Sequence, residues 1–181
     1  MTVFISGGAK NGKSDFAQEL AVRLADGGTR YYIATMIPMD DEDHRRIQKH
    51  LDSRAGMGFK TIECGRNILS VLQQANPKAS FLLDSATALL MNEIFPPEKN
   101  YVMDVPAAMR CAEDLAAFVR AVDHAVIVSD AIYTDAAVYD ESTETYRRCL
   151  AHIDRVLARE CDVVVEFVSG SPIVYKGELL L

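Results

Sequence analysis

Residues 7–14 read Gly-Gly-Ala-Lys-Asn-Gly-Lys-Ser and fit the pattern G-x-x-x-x-G-K-[ST]. Glycines allow a backbone to wrap around a phosphate without Cβ clashes, so that successive N–H groups face the anion. In such a loop the Lys13 ammonium would neutralise the β- and γ-phosphates, and the Ser14 hydroxyl would ligate Mg²⁺. The spacing therefore predicts a nucleotide-binding loop made of Gly7, Gly8, Ala9, Lys10, Asn11, Gly12, Lys13 and Ser14.

A phosphate loop also needs a carboxylate near the metal, at the end of a buried strand. Asp84 follows the apolar residues 81–83 and is the first candidate, so we predict that Mg²⁺ is held by Ser14 and Asp84. Asp130 follows the apolar residues 126–128 and Ser129, and it is the second candidate. Either carboxylate has an alternative role as the N-cap of the next helix, and this applies to Asp84 in particular.

Apolar runs alternate with helical patterns along the whole chain, which predicts a parallel sheet covered on both faces. The expected strands are residues 3–5, 30–35, 61–64, 81–84, 125–129, 163–169 and 173–176, and the expected helices are 14–25, 40–52, 68–74, 86–94, 106–122 and 143–159. Residues 97–104 are expected to form a surface loop. Gly170, Ser171 and Pro172 join the last two strands, which predicts a hairpin at the sheet edge. We expect an α/β, P-loop NTPase-like fold in which residues 1–181 form one domain.

The composition sets limits on the class of protein. Hydrophobic residues make up 49% of the 181 residues and charged residues 25%, as in ordinary globular domains. The net charge of −7 argues against a nucleic-acid partner, which requires a basic face. The N-terminus lacks the features of a signal peptide, and no apolar run reaches membrane-spanning length. We therefore expect a cytoplasmic protein without stable membrane insertion.

The four cysteines, Cys64, Cys111, Cys149 and Cys161, form no C-x-x-C pair and no Cys/His cluster with zinc spacing. They are expected to be reduced and mostly buried.

Several stretches, read together, identify a family. The phosphate loop in FISGGAKNGKS is followed by YYIATM, by DDEDHRRIQKHLDSR with its R-I-x-x-H motif, by FKTIEC and by LLDSATALLMNEIF. The sequence resembles the bifunctional adenosylcobinamide kinase / adenosylcobinamide-phosphate guanylyltransferase family of cobalamin synthesis. The resemblance is specific in the first hundred residues and weaker in residues 145–177.

The resemblance implies two activities that use GTP or ATP with Mg²⁺. One phosphorylates the aminopropanol hydroxyl of adenosylcobinamide, and the other transfers GMP from GTP to that phosphate through a covalent histidine–GMP intermediate. The matching histidine is His50, which joins Lys13 as a catalytic residue. The resemblance also implies a homotrimer. The matching positions for nucleotide binding outside the loop are Thr35, Arg54, Glu63 and Asp84.

The chemistry of histidine supports this assignment independently. A neutral imidazole is nucleophilic near pH 7 and forms a labile phosphoramidate, so that one difficult displacement becomes two easier ones. His44 is a rival nucleophile, while His124 and His152 are expected to be structural or solvated.

The cations of the same segment leave two interpretations open. They could stabilise the leaving pyrophosphate, or they could form exposed salt bridges with the neighbouring carboxylates. The cations are Arg46, Lys49 and Arg54, and the carboxylates are Asp41, Glu42 and Asp43.

The sequence departs from the family pattern after the fifth expected strand. Family members commonly have V-T-N-E-V-G there, where this chain has Val-Ser-Asp-Ala-Ile-Tyr at residues 128–133. The acidic segment 135–144 replaces the usual G-x-x-P loop.

Two other functions stay open: a P-loop small-molecule kinase without nucleotidyl transfer, and a catalytically degenerate GTP-binding protein. Against the second, we find no clear N-K-x-D motif.

Overall fold

The structure, a computed structural model, describes residues 1–179, with the side chain of Arg46 left outside this description. Strands and helices alternate along the chain as the apolar pattern predicts. The strands are β1 (Thr2–Gly7), β2 (Arg30–Ala34), β3 (Lys60–Glu63), β4 (Ser80–Asp84), β5 (His124–Asp130), β6 (Val163–Val168) and β7 (Ser171–Lys176). The α-helices are α1 (Lys13–Leu24), α2 (Asp41–Ser53), α3 (Ala86–Ile94), α4 (Val105–Ala121) and α5 (Glu141–Glu160).

The seven strands form one sheet in the order β3-β2-β4-β5-β1-β6-β7. Every neighbouring pair is parallel except β6 and β7, which form an antiparallel hairpin at the edge. The predicted α/β class, with a mostly parallel sheet and a C-terminal edge hairpin, is confirmed. Because all parallel strands end at the same edge, this edge collects the residues that follow β1, β2, β4 and β5.

Each face of the sheet is covered by helices. On one face α1 packs through Ala17, Leu20 and Ala21 against apolar residues of the central strands. On the other face α3, α4 and α5 cover a larger apolar cluster that includes Phe81 and Ile127. The strands are therefore buried on both sides, which explains their continuous apolar sequences.

Some predicted boundaries were wrong. Residues 68–74 were expected to be helical, and the helix found there is of the 3₁₀ type and ends at Gln73. The predicted loop 97–104 contains a 3₁₀ turn at Pro97–Lys99. The strand expected to run through Thr35 ends at Ala34.

All four cysteines are free and buried, as predicted. Within residues 1–179, no helix is both long enough and apolar enough to cross a membrane.

Candidate functional site

The phosphate loop connects β1 to α1 and is closed by β6. A Cβ on Gly7 would lie 2.5 Å from the backbone oxygen of Phe167, so only glycine fits there. Gly12 has a φ of 92° and precedes the first residue of α1, where a glycine adopts the left-handed conformation without strain. The Asn11 amide donates to the Phe167 oxygen at 2.5 Å and accepts from the Lys13 N–H at 3.2 Å. The loop thus has a fixed shape at a helix N-terminus, as an anion site requires.

Lys13 is buried, and its ammonium is already paired. Its Nζ donates to the Gly8 oxygen at 3.0 Å and to Asp130 Oδ1 at 2.5 Å. Asp130 reaches Lys13 because β5 lies beside β1, with Gly7 opposite Asp130 in the register. The Asp130 N–H donates to Thr87 Oγ1 at 2.8 Å, which fixes the strand end. The carboxylate next to the loop lysine is therefore Asp130, the second of the two predicted candidates.

Asp84 lies one strand further from the loop and faces His50. Asp84 Oδ2 accepts a hydrogen bond from the Tyr32 hydroxyl at 2.9 Å and lies 3.9 Å from His50 Nδ1. Burial raises the pKa of the Asp84 carboxyl, while the charge of His50 and the hydrogen bond from Tyr32 lower it. Among the smaller causes, the charge of Asp130 raises this pKa and the charge of Lys13 lowers it.

A cleft of about 530 Å³ opens beside Asp84 at the edge where the parallel strands end. His50 is on its wall, with 39% of its side chain exposed, and is accessible to a ligand in the cleft. Arg54 and Glu63, both predicted to bind nucleotide, also line the cleft, as does the rival histidine His44. The structure therefore brings the predicted site residues His50, Arg54 and Glu63 together with Asp84 around one cleft.

Thr35 is also at this edge, but its side chain is fully buried. Its hydroxyl donates to the Ser85 oxygen at 2.9 Å and accepts from the Ser85 N–H at 2.7 Å, which joins the ends of β2 and β4. Arg54 is buried, with its guanidinium 3.8 Å from the centre of the Tyr32 ring. Ser14 is half-buried in the first turn of α1, and Gly8, Ala9 and Lys10 are exposed.

Sequence reasoning missed Tyr32 and the polar pair Tyr133 and Asp154. The Tyr133 hydroxyl donates to Asp154 Oδ2 at 2.7 Å, and Asp154 is buried on α5. The signal for Tyr32 was the tyrosine pair before the apolar residues Ile33 and Ala34 of the same strand: a buried phenol needs a hydrogen-bond partner. Asp154 carried a comparable signal, as a lone carboxylate on the apolar face of a helix.

We expect Asp154 to impose a pH dependence on stability. Burial raises its pKa from 3.8 to about 6. Between these pH values the folded chain keeps a proton that the unfolded chain has lost, so Asp154 makes the free energy of unfolding fall as pH rises, by about 3 kcal/mol in total. In Asp154→Asn, whose side chain can still accept a hydrogen bond from Tyr133, this fall in the free energy of unfolding with rising pH should disappear. Urea unfolding at about pH 4 and about pH 7 would measure the difference; parallel pH profiles for both proteins would contradict the prediction.

Comparison with known proteins identifies the family. A model of the family described as cobinamide kinase / cobinamide phosphate guanyltransferase matches residues 3–175. The chain belongs to this family. The predicted family resemblance is thereby confirmed over nearly the full sequence.

Curated members of this cobinamide kinase / guanyltransferase family align with the chain from end to end. The bifunctional adenosylcobalamin biosynthesis protein CobU of Salmonella typhimurium is 28% identical over 188 residues, with 97% of this chain and 100% of the relative covered. The protein of the same name from Escherichia coli is 25% identical over 185 residues, with the same coverage.

Among solved structures, an ATPase domain superposes with a TM-score of 0.54 at 13% identity, covering 97% of this chain and 76% of that chain. This likeness concerns the fold, and it confirms the P-loop NTPase-like class predicted from the loop and the strand–helix alternation.

Proposed function

We propose that residues 1–181 act as one transferase domain with two successive activities. The first phosphorylates the aminopropanol hydroxyl of adenosylcobinamide from GTP or ATP. The second transfers GMP from GTP to the new phosphate through a covalent intermediate on His50. The observation that supports this proposal best is that His50 lies 3.9 Å from Asp84 at the end of β4, while Lys13 pairs with Asp130 at the end of the neighbouring strand β5. A lysine for phosphates and an imidazole nucleophile thus lie at one edge of the sheet.

In the phosphorylation step, the backbone of the phosphate loop and Lys13 hold the triphosphate. The substrate hydroxyl attacks the γ-phosphorus and gives up its proton to a phosphate oxygen, while the bond from that phosphorus to the bridging oxygen breaks and its electron pair leaves with the nucleoside diphosphate. The Lys13 ammonium has three donors, of which Gly8 and Asp130 take two; the third is available to a phosphate oxygen, and a second phosphate contact requires exchange with Asp130 or Gly8. The fixed loop contributes mainly by positioning the phosphates and stabilising their charge.

In the nucleotidyl step, the imidazole of His50 attacks the α-phosphorus of GTP. A phosphorus–nitrogen bond forms, and pyrophosphate leaves with the electrons of the broken phosphorus–oxygen bond. A phosphate oxygen of the cobinamide phosphate then attacks the same phosphorus and returns the electron pair to the imidazole. Arg54 supplies a fixed positive charge in the cleft.

Mg²⁺ fits this site as a substrate-bound cation. Over residues 1–179, no three His, Cys, Asp or Glu side chains are grouped to hold a metal ion. Magnesium often binds through one or two protein oxygens together with waters and substrate phosphates, so a small ligand set is compatible with it. Ser14 would supply a hydroxyl and Asp84 its Oδ1, because Oδ2 accepts from Tyr32 and faces His50. The ion would neutralise charge on the phosphates.

Mass spectrometry of the products formed from adenosylcobinamide, GTP and Mg²⁺ tests the proposed function. We expect a phosphorylated corrinoid first and a GDP-corrinoid later, with pyrophosphate released in the second step. Accumulation of the phosphorylated corrinoid alone would favour a kinase without nucleotidyl transfer. Tight GTP binding without any product would favour a degenerate GTP-binding protein.

We also propose that the chain assembles into a homotrimer, which the family resemblance implies. Sedimentation equilibrium would test this assembly; a mass equal to that of one chain at micromolar concentration would contradict it.

A further inference from the structure

Tyr32 is a buried tyrosine whose hydroxyl points into the functional site. It lies on β2, between β3 and β4, and only 4% of the residue is exposed. The Arg54 guanidinium lies 3.8 Å from the centre of its ring, and the Phe59 ring approaches edge-on at 6.2 Å. Because these neighbours fix the ring, the hydroxyl has a defined position, 2.9 Å from Asp84 Oδ2.

The same carboxylate oxygen faces the proposed nucleophile. Asp84 Oδ2 is 3.9 Å from His50 Nδ1, about 1 Å beyond a hydrogen bond. Contacts of catalytic groups are often this long before substrate binds and tighten in the complex. A carboxylate oxygen only accepts, so the Tyr32 hydroxyl is the donor in its hydrogen bond with Asp84.

We propose that Tyr32 is a positioning residue for the nucleotidyl transfer: its hydroxyl holds Asp84 so that Oδ2 receives the Nδ1–H of His50. The Nε2 lone pair of His50 is then free to attack the α-phosphorus. The proton stays on Nδ1 throughout. The electron pair of Nε2 forms the bond to phosphorus in the first step and returns to Nε2 when that bond breaks in the second. This inference rests on the proposed covalent intermediate and adds the residue that sets its geometry.

The variant Tyr32→Phe removes the hydroxyl and keeps the ring under Arg54. We expect the rate at which the α-phosphate label of GTP becomes attached to the protein to fall about 10- to 100-fold, by analogy with the loss of outer groups that orient the ligands of a metal site. Phosphorylation of adenosylcobinamide should change by less than about threefold, since Tyr32 donates to Oδ2 of Asp84, whereas Oδ1 is the oxygen proposed for Mg²⁺, and Lys13 is paired with Asp130.

The matched control is Tyr133→Phe. Tyr133 also donates to a buried carboxylate, at 2.7 Å, but its partner is Asp154 on α5. This variant should be labelled at the wild-type rate, with a thermal midpoint similar to that of Tyr32→Phe. A fall of both activities in Tyr32→Phe to the same extent would indicate a general structural role and overturn the inference.

The proton position on His50 provides a readout that does not depend on turnover. In protein labelled with ¹⁵N-histidine, the long-range ¹H–¹⁵N signals of His50, assigned with His50→Ala, should show the proton on Nδ1 in the wild type and a mixture of tautomers in Tyr32→Phe. Unchanged signals, or equal labelling of wild type and Tyr32→Phe, would overturn only the role of Tyr32. Absence of label on the wild type would instead overturn the covalent intermediate, and the inference with it.

Discussion

Replacing His50 by alanine should abolish the acid-labile attachment of GMP to the protein while phosphorylation of adenosylcobinamide continues. The wild type should take up label from GTP carrying it at the α-phosphate. Loss of a catalytic nucleophile lowers a transfer rate by several orders of magnitude, about 10⁶-fold for the nucleophilic serine of a serine protease. No other group of the protein accepts the nucleotidyl group in the proposed mechanism, so the residual labelling of the protein should be undetectable.

The geometry explains why this loss should be selective. His50 is partly exposed on the wall of the cleft and faces Asp84, whereas Lys13 pairs with Asp130. Removal of the imidazole leaves the phosphate loop and its lysine intact. The phosphorylated corrinoid should therefore accumulate in the His50→Ala protein without conversion to the GDP-corrinoid.

Two further histidine variants make this experiment decisive. His152→Ala, on α5, should be labelled like the wild type. His44 lines the same cleft, so His44→Ala tests the rival nucleophile. Label that persists in His50→Ala but disappears in His44→Ala would transfer the nucleophilic role to His44.

The second large effect is expected at the phosphate loop. Lys13→Ala should lower kcat/KM for phosphorylation about 10²- to 10³-fold, the usual cost of removing one group that stabilises transition-state charge. The variant also leaves Asp130 without its ammonium partner, so that the Asp130 carboxylate repels the triphosphate. Initial rates with a donor labelled at the γ-phosphate would measure the effect.

A surface pair of the same chemistry gives the matched control. Lys99 Nζ lies 2.6 Å from Asp104 Oδ2, and Lys99 is largely exposed. Lys99→Ala should leave both activities unchanged, because an exposed ion pair contributes little. A Lys13→Ala protein that phosphorylates its substrate at the wild-type rate would remove Lys13 from the proposed mechanism.

The sequence predicts local features of this molecule well. The loop pattern fixes the chemistry of residues 7–14, and apolar runs of strand length identify every strand to within a few residues. These predictions succeed because they depend on near neighbours in the chain: glycines where a turn needs them, and side chains repeating with the period of a helix or strand. A helix was predicted at residues 68–74 and is found at Ile68–Gln73, but its 3₁₀ type was not predicted, because short 3₁₀ and α segments share the same apolar pattern.

The order of strands is the information that the sequence lacked. Parallel strands are linked by crossovers, so adjacency in the chain does not determine adjacency in the sheet. Here β5 is inserted between β1 and β4, which places Asp130 beside Lys13 and leaves Asp84 to contact Tyr32 and His50. The sequence could identify both carboxylates as candidates, but it could not determine the partner of each.

The pairing of Lys13 with Asp130 should make the phosphate loop selective for ligands that carry more negative charge. A bound phosphate competes with the Asp130 carboxylate for the Lys13 ammonium. The attraction between the phosphate and the ammonium grows with the negative charge of the phosphate. A triphosphate competes more effectively than a diphosphate. After transfer of the terminal phosphoryl group, we expect Asp130 to pair with Lys13 again and the nucleoside diphosphate to dissociate more readily than the triphosphate.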